Sequence, residues 1–554
     1  MPKAAKMDGG DKLQWWQTRT FVVVMALLSM VPLLWPNIPP LVDLPGHMGR
    51  YRVQVDLQNY PWLLDWYNFQ WSLIGNLGVD LLVEIMHPIF GLELSVKLIV
   101  LSIPPLIVIG LLWIAREVHG RIPPTALFAL PLAYCYPLQF GFVNFMLSMA
   151  WALPMFALWL RLARLKKFRL RAIIFVPLSC ILWVCHTFGW GVLGVLAFSA
   201  EMVREHDRIK DEVGARIGPI TREGAKRWAM GFVRAGLHCL PLCLPMLMMI
   251  AWRNGQHVSG QTGDWFNWQA KISWLTMMLR DRWMAFDIAS VAVIGLVIYK
   301  AVRDPNFEYS RAVGLSTLFL VTVFVLLPRI VFGSAYADMR LAPFMVAIAV
   351  IAIRPKKMVS TRAMTTVAVL GLAFVLVRTT ATTVSFYIFD QNYDRELKAL
   401  NHIPVGARLV SFVGKTCNNE WLMSRLEHLP ALALERNAAY TNDQWSMPGA
   451  QLLTTKYVAA GHFSHDPSEI VTERQCAREW WRPIDRSLAL FPRPAFDYVW
   501  LITPPPYHAK YVQDLTPIWR SGDSVVFKVN HVEVAPQAKR SDFPLPPKSK
   551  VPLF

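Results

Sequence analysis

The sequence predicts a polytopic α-helical membrane protein that carries a small α/β domain at its C-terminal end. Only 17% of its 554 residues are charged, 54% are hydrophobic, and the mean hydropathy is +0.33. Soluble domains usually contain about a quarter charged residues, so this composition excludes a disordered chain and argues against a single soluble globule. Apolar runs alternate with basic clusters up to residue 389, and the chain becomes more polar from residue 390 onwards.

Transmembrane helices are predicted wherever an apolar run approaches the roughly 20 residues that cross the hydrocarbon core. We expect eleven spans between residues 20 and 389, preceded by a cytoplasmic N-terminus at 1–19. The expected spans are 20–37, 92–114, 123–139, 141–160, 172–186, 188–203, 232–251, 286–302, 313–333, 341–353 and 364–388.

The basic residues set the predicted orientation. Residues 1–389 hold 37 of the 56 Lys and Arg residues but only 21 of the 38 acidic ones. Clusters such as 161–171 and 354–362 lie between apolar runs, which is typical of cytoplasmic loops rather than of a nucleic-acid-binding surface. All clusters fall on one side if 172–203 crosses twice with a turn near His186, whereas the last clusters change sides if it crosses once. We therefore predict two crossings, a cytoplasmic N-terminus and an extracytoplasmic C-terminal domain.

A long polar loop, residues 38–91, follows the first expected span on the outer side. Its net charge is negative, and the segments 51–64 and 66–86 mix aromatic, leucine and polar residues without reaching the hydropathy of a span. Such segments are typical of amphipathic helices, which we expect to lie in the membrane interface.

Residues 390–534 are predicted to form a small α/β domain, followed by a disordered tail at 535–554. The tail is rich in Pro and in basic residues, a composition that does not bury a core. Short β-branched and aromatic runs bounded by turn residues predict strands at 407–413, 496–503 and 524–529. Helices are predicted at 395–401 and 420–429.

The seven cysteines divide between the two parts of the chain. Five lie in expected spans, where Cys acts as a small apolar residue, and their spacing indicates no metal or redox site. Cys417 and Cys476 lie in the extracytoplasmic domain, where an oxidising compartment allows them to pair. The sequence leaves both a disulfide and two free thiols open.

The densest group of polar residues directly follows the first expected span and includes Asp43, His47 and Arg50. If a helix starts at Pro45, His47 and Arg50 share one of its faces and Asp43 lies at its beginning. A carboxylate, an imidazole and a guanidinium suit proton abstraction beside an anionic leaving group. The alternative is structural, with Asp43 capping the helix and Arg50 reaching to lipid headgroups.

A second group of polar residues lies at other outer ends of the expected spans, namely His186, Arg329, Asp338 and Arg340. An arginine this close to hydrocarbon needs a partner. Arg329 and Arg340 therefore predict either a clamp for a lipid phosphate or an ion pair with Asp338. His186 is either a packed residue or a substrate contact.

Four stretches make the chain resemble the GT-C superfamily of integral-membrane glycosyltransferases. They are DLPGHMGRY at 43–51, GFVNFMLSMAWALPMFALWLR at 141–161, HTFGWGVL at 186–193 and DMRLAPF at 338–344. The resemblance covers residues 15–390 and includes an acidic residue in a long outer loop after the first span. It implies a multi-pass protein of the bacterial inner membrane with a periplasmic C-terminal domain. It also implies transfer of a sugar from a polyprenyl-phosphate-linked donor to a glycan, lipid or protein acceptor on the outer face.

The same resemblance implies roles for the site residues. Asp43 would be the general base that deprotonates the acceptor, and basic residues would neutralise the departing phosphate. The residues expected to contact the phosphate or the substrate are His47, Arg50, His186, Arg329, Asp338 and Arg340. The family often has paired acids in this loop, whereas Asp43 is followed by Leu44. We therefore predict no definite cofactor; a divalent metal stays open but has no support in the sequence.

Other functional classes require sequence motifs or charge positions of their own. The sequence contains no GxxxxGK[ST], HExxH or GxSxG motif, which argues against an ATP-driven pump, a zinc protease and a serine hydrolase. A non-catalytic assembly factor for envelope polysaccharide stays open, and it would tolerate loss of Asp43. A transporter or flippase would need charged residues near the middle of the membrane, and an O-antigen-type ligase or polymerase would depend on Arg and His in a late outer loop.

Overall fold

The computed structural model describes residues 12–213, 221–255, 261–331, 333–356, 359–417, 420–447, 451–477 and 481–531. The expected disordered tail at 535–554 and most of the expected cytoplasmic N-terminus lie outside these residues. The α-helices are α1 (Arg19–Leu28), α2 (Val31–Leu34), α3 (Leu44–Asp56), α4 (Leu63–Trp66), α5 (Gly78–Phe90), α6 (Leu92–His119), α7 (Tyr136–Phe140), α8 (Val143–Arg164), α9 (Phe168–Cys185), α10 (Thr187–Val213), α11 (Arg222–Cys239), α12 (Leu244–Gly255), α13 (Trp268–Thr276), α14 (Met284–Arg303), α15 (Arg311–Leu326), α16 (Ala337–Ile351), α17 (Thr361–Leu397), α18 (Ala431–Asn437) and α19 (Ile484–Leu490). The strands are β1 (Tyr67–Phe69), β2 (Phe307–Tyr309), β3 (Ile353–Pro355), β4 (Leu409–Gly414), β5 (Leu453–Thr455), β6 (Ile470–Thr472), β7 (Arg482–Pro483), β8 (Tyr498–Ile502), β9 (Leu515–Ser521) and β10 (Ser524–Val529).

Helices of membrane-spanning length are fewer than the sequence predicts. Within the described residues, α6, α8, α9, α14 and α17 are long and apolar enough to cross a bilayer. The pair α11 and α12 adds a sixth crossing if it forms one span bent by 63°, and the apolar helices α1 and α15 are shorter. The chain is therefore a multi-pass helical membrane protein, but the structure does not support the expected count of eleven spans.

Two of the expected spans are not continuous α-helices. The run 20–37 breaks after Leu28, and Pro32 lies in the short helix α2 that follows. Most of the run 123–139 is a 3-10 helix, Pro124–Tyr134, which is buried along its whole length. Prolines within and beside this segment remove backbone donors, so an α-helical hydrogen-bond ladder cannot form. Its apolar side chains pack in the protein core instead of facing lipid.

The basic clusters gather at one end of the helical bundle, which we call the basic end. There Arg164 of α8 pairs with Glu117 of α6, and Arg171 of α9 pairs with Glu201 of α10. The second pair joins the beginning of α9 to the middle of α10, so the two helices are antiparallel and turn at His186. The stretch 172–203 thus forms two helices, as predicted, and His186 lies at the opposite end of the bundle. We call that opposite end, which also holds Asp43 and Arg340, the site end.

The C-terminal part contains a six-stranded mixed sheet in the order β7-β6-β4-β8-β10-β9. Strand β4 pairs in parallel with β6 and β8, and β10 pairs antiparallel with β8 and β9. The strands predicted at 407–413, 496–503 and 524–529 are β4, β8 and β10, which lie side by side. The helix predicted at 420–429 is wrong, because this segment forms successive tight turns. Its residues contact several elements at once, which a helix with one buried face cannot do.

The C-terminal part is joined to the loop that precedes α6. Strand β1 of this loop pairs antiparallel with β5, and α3 packs against α18. The guanidinium of Arg52 lies 2.9 Å from Glu435 Oε1 across the contact between α3 and α18. The first of the two expected interface helices, 51–64, is therefore enclosed by protein, whereas α5 in the second exposes Leu81 and Ile85 as an amphipathic helix does. Helix α3 begins earlier and is buried by protein, and β1 interrupts the second segment.

Cys417 and Cys476 form a disulfide bond, with their Cα atoms 5.3 Å apart. The other five cysteines are free. Disulfides persist in oxidising compartments, so this bond agrees with the expectation that the C-terminal part lies outside the cytoplasm.

We expect the basic end to face the cytoplasm and the C-terminal part to face the opposite side. The test replaces the five free cysteines and adds one new cysteine at an exposed position. Val458→Cys, at a side chain that is 90% exposed, should react with a membrane-impermeant maleimide in intact cells. Arg169→Cys, in an exposed turn of the basic end, should react only after permeabilisation. The reverse labelling pattern would contradict this topology.

Gly49 tests the contact between α3 and α18. A Cβ at this position would lie 3.0 Å from the carbonyl oxygen of Ala431 and 2.8 Å from Gln444 Nε2. Gly49→Ala should lower the free energy of unfolding by about 1–3 kcal/mol, because a helix backbone must move to admit the methyl group. Gly191→Ala in α10 is the matched control, since a Cβ there meets no atom within 4 Å. An unchanged midpoint of thermal unfolding for Gly49→Ala in detergent would contradict the close packing.

Candidate functional site

Asp43 lies in the turn between α2 and α3 at the site end. Its backbone N–H donates to the carbonyl oxygen of Phe140, 2.9 Å away, and Gly141 packs against its backbone. Asp43 is the N-cap residue of α3, but its side chain makes no capping hydrogen bond. The alternative in which Asp43 only caps the helix is therefore wrong. The side chain is 8% exposed and is available for other contacts.

Arg340 lies in the first turn of α16, near Asp43. Its guanidinium carbon is 4.2 Å from the ring centre of Phe142 and 5.9 Å from that of Phe145. Its Nη2 donates to Ser334 Oγ at 3.3 Å, and its Nε is buried without a hydrogen-bond partner. Among the described residues, no carboxylate lies within ion-pair distance of Arg340, so the structural pair with Asp338 considered from the sequence is not formed. Arg340 keeps a positive charge free to bind an anion.

His186 lies on the same aromatic wall as Arg340. Its ring centre is 5.8 Å from that of Phe145, and its Nδ1 accepts a hydrogen bond from the backbone N–H of Phe188 at 3.1 Å. His186, in the turn between α9 and α10, and Arg340, in α16, therefore both lie beside Phe145. The structure brings these two predicted residues together.

Three other predicted residues are engaged in ion pairs. Arg50 lies 2.5 Å from Asp80, Arg329 binds Asp264, and Lys271 Nζ lies 3.2 Å from Asp338 Oδ2. The ion pair expected between Arg329 and Asp338 is thus absent, because each has another partner. Arg50 is buried within the protein, so the alternative in which it reaches lipid headgroups is wrong. The partners of these residues favour structural roles for them.

His47 lies one turn into α3, beside a residue of the C-terminal part. Its ring centre is 4.9 Å from that of Trp445, and its Nδ1 is buried without a hydrogen-bond partner. Burial lowers the pKa of His47 well below its ordinary value, and the nearby Arg50 lowers it further. His47 is therefore neutral at physiological pH.

The C-terminal part adds residues to the site that the sequence analysis missed. His428 Nε2 lies 4.0 Å from Asp43 Oδ1, and the His428 ring centre is 4.5 Å from that of Trp445. The neighbouring Glu427 binds Lys415 Nζ at 2.5 Å. The signal that could have found these residues is the adjacent pair Glu427 and His428, which the sequence analysis included only in the helix expected at 420–429.

The carboxyl group of Asp43 experiences opposing charges. Burial raises its pKa well above the ordinary value, and Glu427 and Asp466 raise it further. Arg340 and Lys415 act in the opposite direction and lower the pKa. A carboxyl group with a raised pKa is a stronger base once it is deprotonated, which suits proton transfer near neutral pH.

The arrangement combines a buried carboxyl group, two imidazoles that contact Trp445, and one arginine without a carboxylate partner among the described residues. Such a set can accept a proton at Asp43 while Arg340 holds an anion nearby. The surrounding side chains are aromatic, with Tyr136, Phe140, Phe142, Trp274 and Tyr336 in one connected group. Aromatic faces suit sugar rings and apolar chains.

No family model matches the chain, and no curated protein matches it. Among solved structures, it is similar to ArnT from Cupriavidus metallidurans bound to undecaprenyl phosphate, with 11% identity and a TM-score of 0.44, over 92% of this chain and 97% of that chain. The apo state of the same protein is similar to the same extent, with 10% identity and a TM-score of 0.44. ArnT belongs to the GT-C family, which the motifs of this chain resemble. At this TM-score and identity, the likeness carries no argument about the activity of this chain.

Proposed function

We propose that this protein is a membrane glycosyltransferase that moves a sugar from a polyprenyl-phosphate-linked donor to an acceptor. The observation that carries the proposal is the position of Asp43 and Arg340 around the turn from Phe140 to Phe145. The carboxylate of Asp43 can take a proton, and the guanidinium of Arg340 can bind a phosphate. The acceptor is a glycan, a lipid or a protein, and transfer takes place on the outer face of a bacterial inner membrane.

Arg340 supports the phosphate part of the proposal. It lies in the first turn of a helix at the site end, against Phe142 and Phe145, where a headgroup entering from the bilayer would meet it. The arginines Arg50 and Arg329 are neutralised by Asp80 and Asp264. A guanidinium without a carboxylate partner binds phosphate through charge-assisted hydrogen bonds.

Asp43 supports the transfer part of the proposal. In the reaction, the acceptor oxygen attacks the anomeric carbon of the donor sugar, and the acceptor proton passes to the Asp43 carboxylate. The bond between the anomeric carbon and the phosphate oxygen breaks, and its electron pair leaves with the polyprenyl phosphate. Arg340 neutralises the charge that develops on this leaving group. The attacking and leaving oxygens must lie in line, on opposite sides of the sugar ring.

The experiment begins with the donor. Lipids that co-purify with the protein are identified by mass spectrometry, and transfer of the labelled sugar is then measured in proteoliposomes. Asp43→Asn should lower kcat by ~10²–10⁴-fold, because it removes the base and keeps the shape. Arg340→Gln should raise the KM for the lipid-linked donor, because it removes the charge that binds phosphate.

Two variants serve as matched controls. Asp485→Asn removes a carboxylate that pairs with His508 on the surface of the C-terminal part, and Arg354→Gln removes an arginine that pairs with Glu308 at the basic end. Both should transfer sugar at the wild-type rate. Full activity of Asp43→Asn would end the catalytic assignment. A protein that binds the lipid but transfers no sugar to any acceptor would instead be a non-catalytic assembly factor.

A further inference from the structure

Three side chains of the C-terminal part converge next to the proposed site. They are His428, which precedes α18, and Asp466 and Glu469, which precede β6. One potential ligand atom from each lies within 4.8 Å of the corresponding atoms of the other two. The sequence analysis found no support for a metal here, since His428 is distant along the chain from the two acids.

The buried carboxylate of Glu469 has neither a hydrogen-bond donor nor a counter-ion among the described residues. Glu469 is 0% exposed, and neither of its carboxylate oxygens has a hydrogen-bond partner among the described residues; the carboxyl group of Asp466 faces it, and that of Asp443 lies nearby. The Nδ1 atom of the buried His428 also has no hydrogen-bond partner. Burying a carboxylate without a donor or a counter-ion is costly. Either a cation or a proton shared by the two carboxyl groups must therefore occupy the space.

Hydrogen bonds from neighbouring residues hold the acidic pair in place. Asn442 Nδ2 donates to Ser468 Oγ at 3.0 Å, and Ser468 Oγ donates to the Asn442 carbonyl oxygen at 3.1 Å. Asn442 Oδ1 in turn accepts from the backbone N–H of Ser411 in β4, at 2.8 Å. The backbone N–H of Asp466 donates to the carbonyl oxygen of Gln444 at 3.0 Å. The loop with both acids is thus attached to the sheet before any cation binds.

We propose that His428, Asp466 and Glu469 bind one divalent transition-metal cation of the Zn²⁺ or Mn²⁺ class. One imidazole nitrogen and two carboxylates are a donor set that these cations prefer, whereas Ca²⁺ and Mg²⁺ favour oxygen ligands alone. Two carboxylates match the charge of the cation. Three protein ligands leave further coordination positions open to water or to another ligand.

The proposed cation site lies close to Asp43. His428 Nε2 lies 4.0 Å from Asp43 Oδ1, so a cation on His428 lies beside the carboxyl group of the proposed base. The cation is then placed on the side of Asp43 that faces the C-terminal part, and Arg340 lies on the side of the helical bundle. The metal proposal depends on binding alone and does not require that the chain transfer sugar.

The experiment measures metal binding by the full chain in detergent after treatment with a chelator and dialysis. Calorimetric titration with Zn²⁺ and electron paramagnetic resonance with Mn²⁺ should each show one site per chain, and Zn²⁺ should raise the midpoint of thermal unfolding. Glu469→Gln and Asp466→Asn should each weaken Mn²⁺ binding at least 10-fold. Asp485→Asn, an acid of the same part that pairs with His508, should bind like the wild type.

Two results would overturn the proposal. Absence of Zn²⁺ and Mn²⁺ binding at millimolar concentration would mean that the two acids share a proton. Wild-type binding by both Glu469→Gln and Asp466→Asn would place the cation elsewhere. If these variants do not fold, the anomalous scattering of Zn²⁺ in crystals of the wild type decides the question, with a peak bounded by the three side chains expected. Loss of sugar transfer in Asp43→Asn, or its absence in the wild type, leaves this binding result unaffected.

Discussion

One buried arginine, Arg425, connects the two parts of the chain. Its Nη2 donates to Gln139 Oε1 at 2.6 Å and to Asp281 Oδ1 at 2.7 Å, and its Nη1 donates to the carbonyl oxygen of Pro40. The side chain is 1% exposed. Removing one partner of a buried ion pair costs about 3–5 kcal/mol, because the other charge stays buried without compensation. The geometry of the site depends on this residue, since Pro40 begins the turn that carries Asp43 and His428 follows shortly after Arg425.

From Arg425, hydrogen bonds continue into the helical bundle through Asp281 and Asp287. The backbone N–H of Asp281 donates to Asp287 Oδ2, and Asp287 Oδ1 binds Arg378 Nη1 at 2.7 Å. Trp421 Nε1 donates to the other oxygen of Asp287 at 2.8 Å. These bonds join α14, α17 and the segment around Arg425 at one level of the protein. The C-terminal part is therefore fixed to the helices by charge-assisted hydrogen bonds as well as by apolar packing.

The sequence predicted those features that depend on local patterns. Alternating apolar and basic segments predicted the helical bundle and its basic end, and β-branched runs predicted β4, β8 and β10. Asp43 was found because an acid after an apolar run is unusual, and Cys417 and Cys476 because they alone lie outside the expected spans. One expected span, 123–139, is not a continuous α-helix, because the run that contains Pro131 forms a buried 3-10 helix. Local hydropathy does not distinguish a segment that faces lipid from one that faces protein.

The partners of the charged residues could not be predicted, because they depend on contacts between distant parts of the chain. Arg329 binds Asp264 rather than Asp338, and Asp338 binds Lys271 from another helix. His428 approaches Asp43 although more than two thirds of the chain lies between them. A single sequence shows which charges are unusual, but it does not show which of them meet.

The contact between Pro40 and Arg425 also affects how the protein folds while the ribosome makes it. The two residues are 385 positions apart, and at 5–20 residues per second the ribosome needs roughly 20–80 s to make the chain between them. During this time α3 and β1 have been made, but β5 and α18, which cover them in the finished protein, have not. The side chain of Arg52, whose partner Glu435 lies in α18, must meanwhile be solvated or held by an insertion or folding factor. Completion of the site is thus a late step in biogenesis.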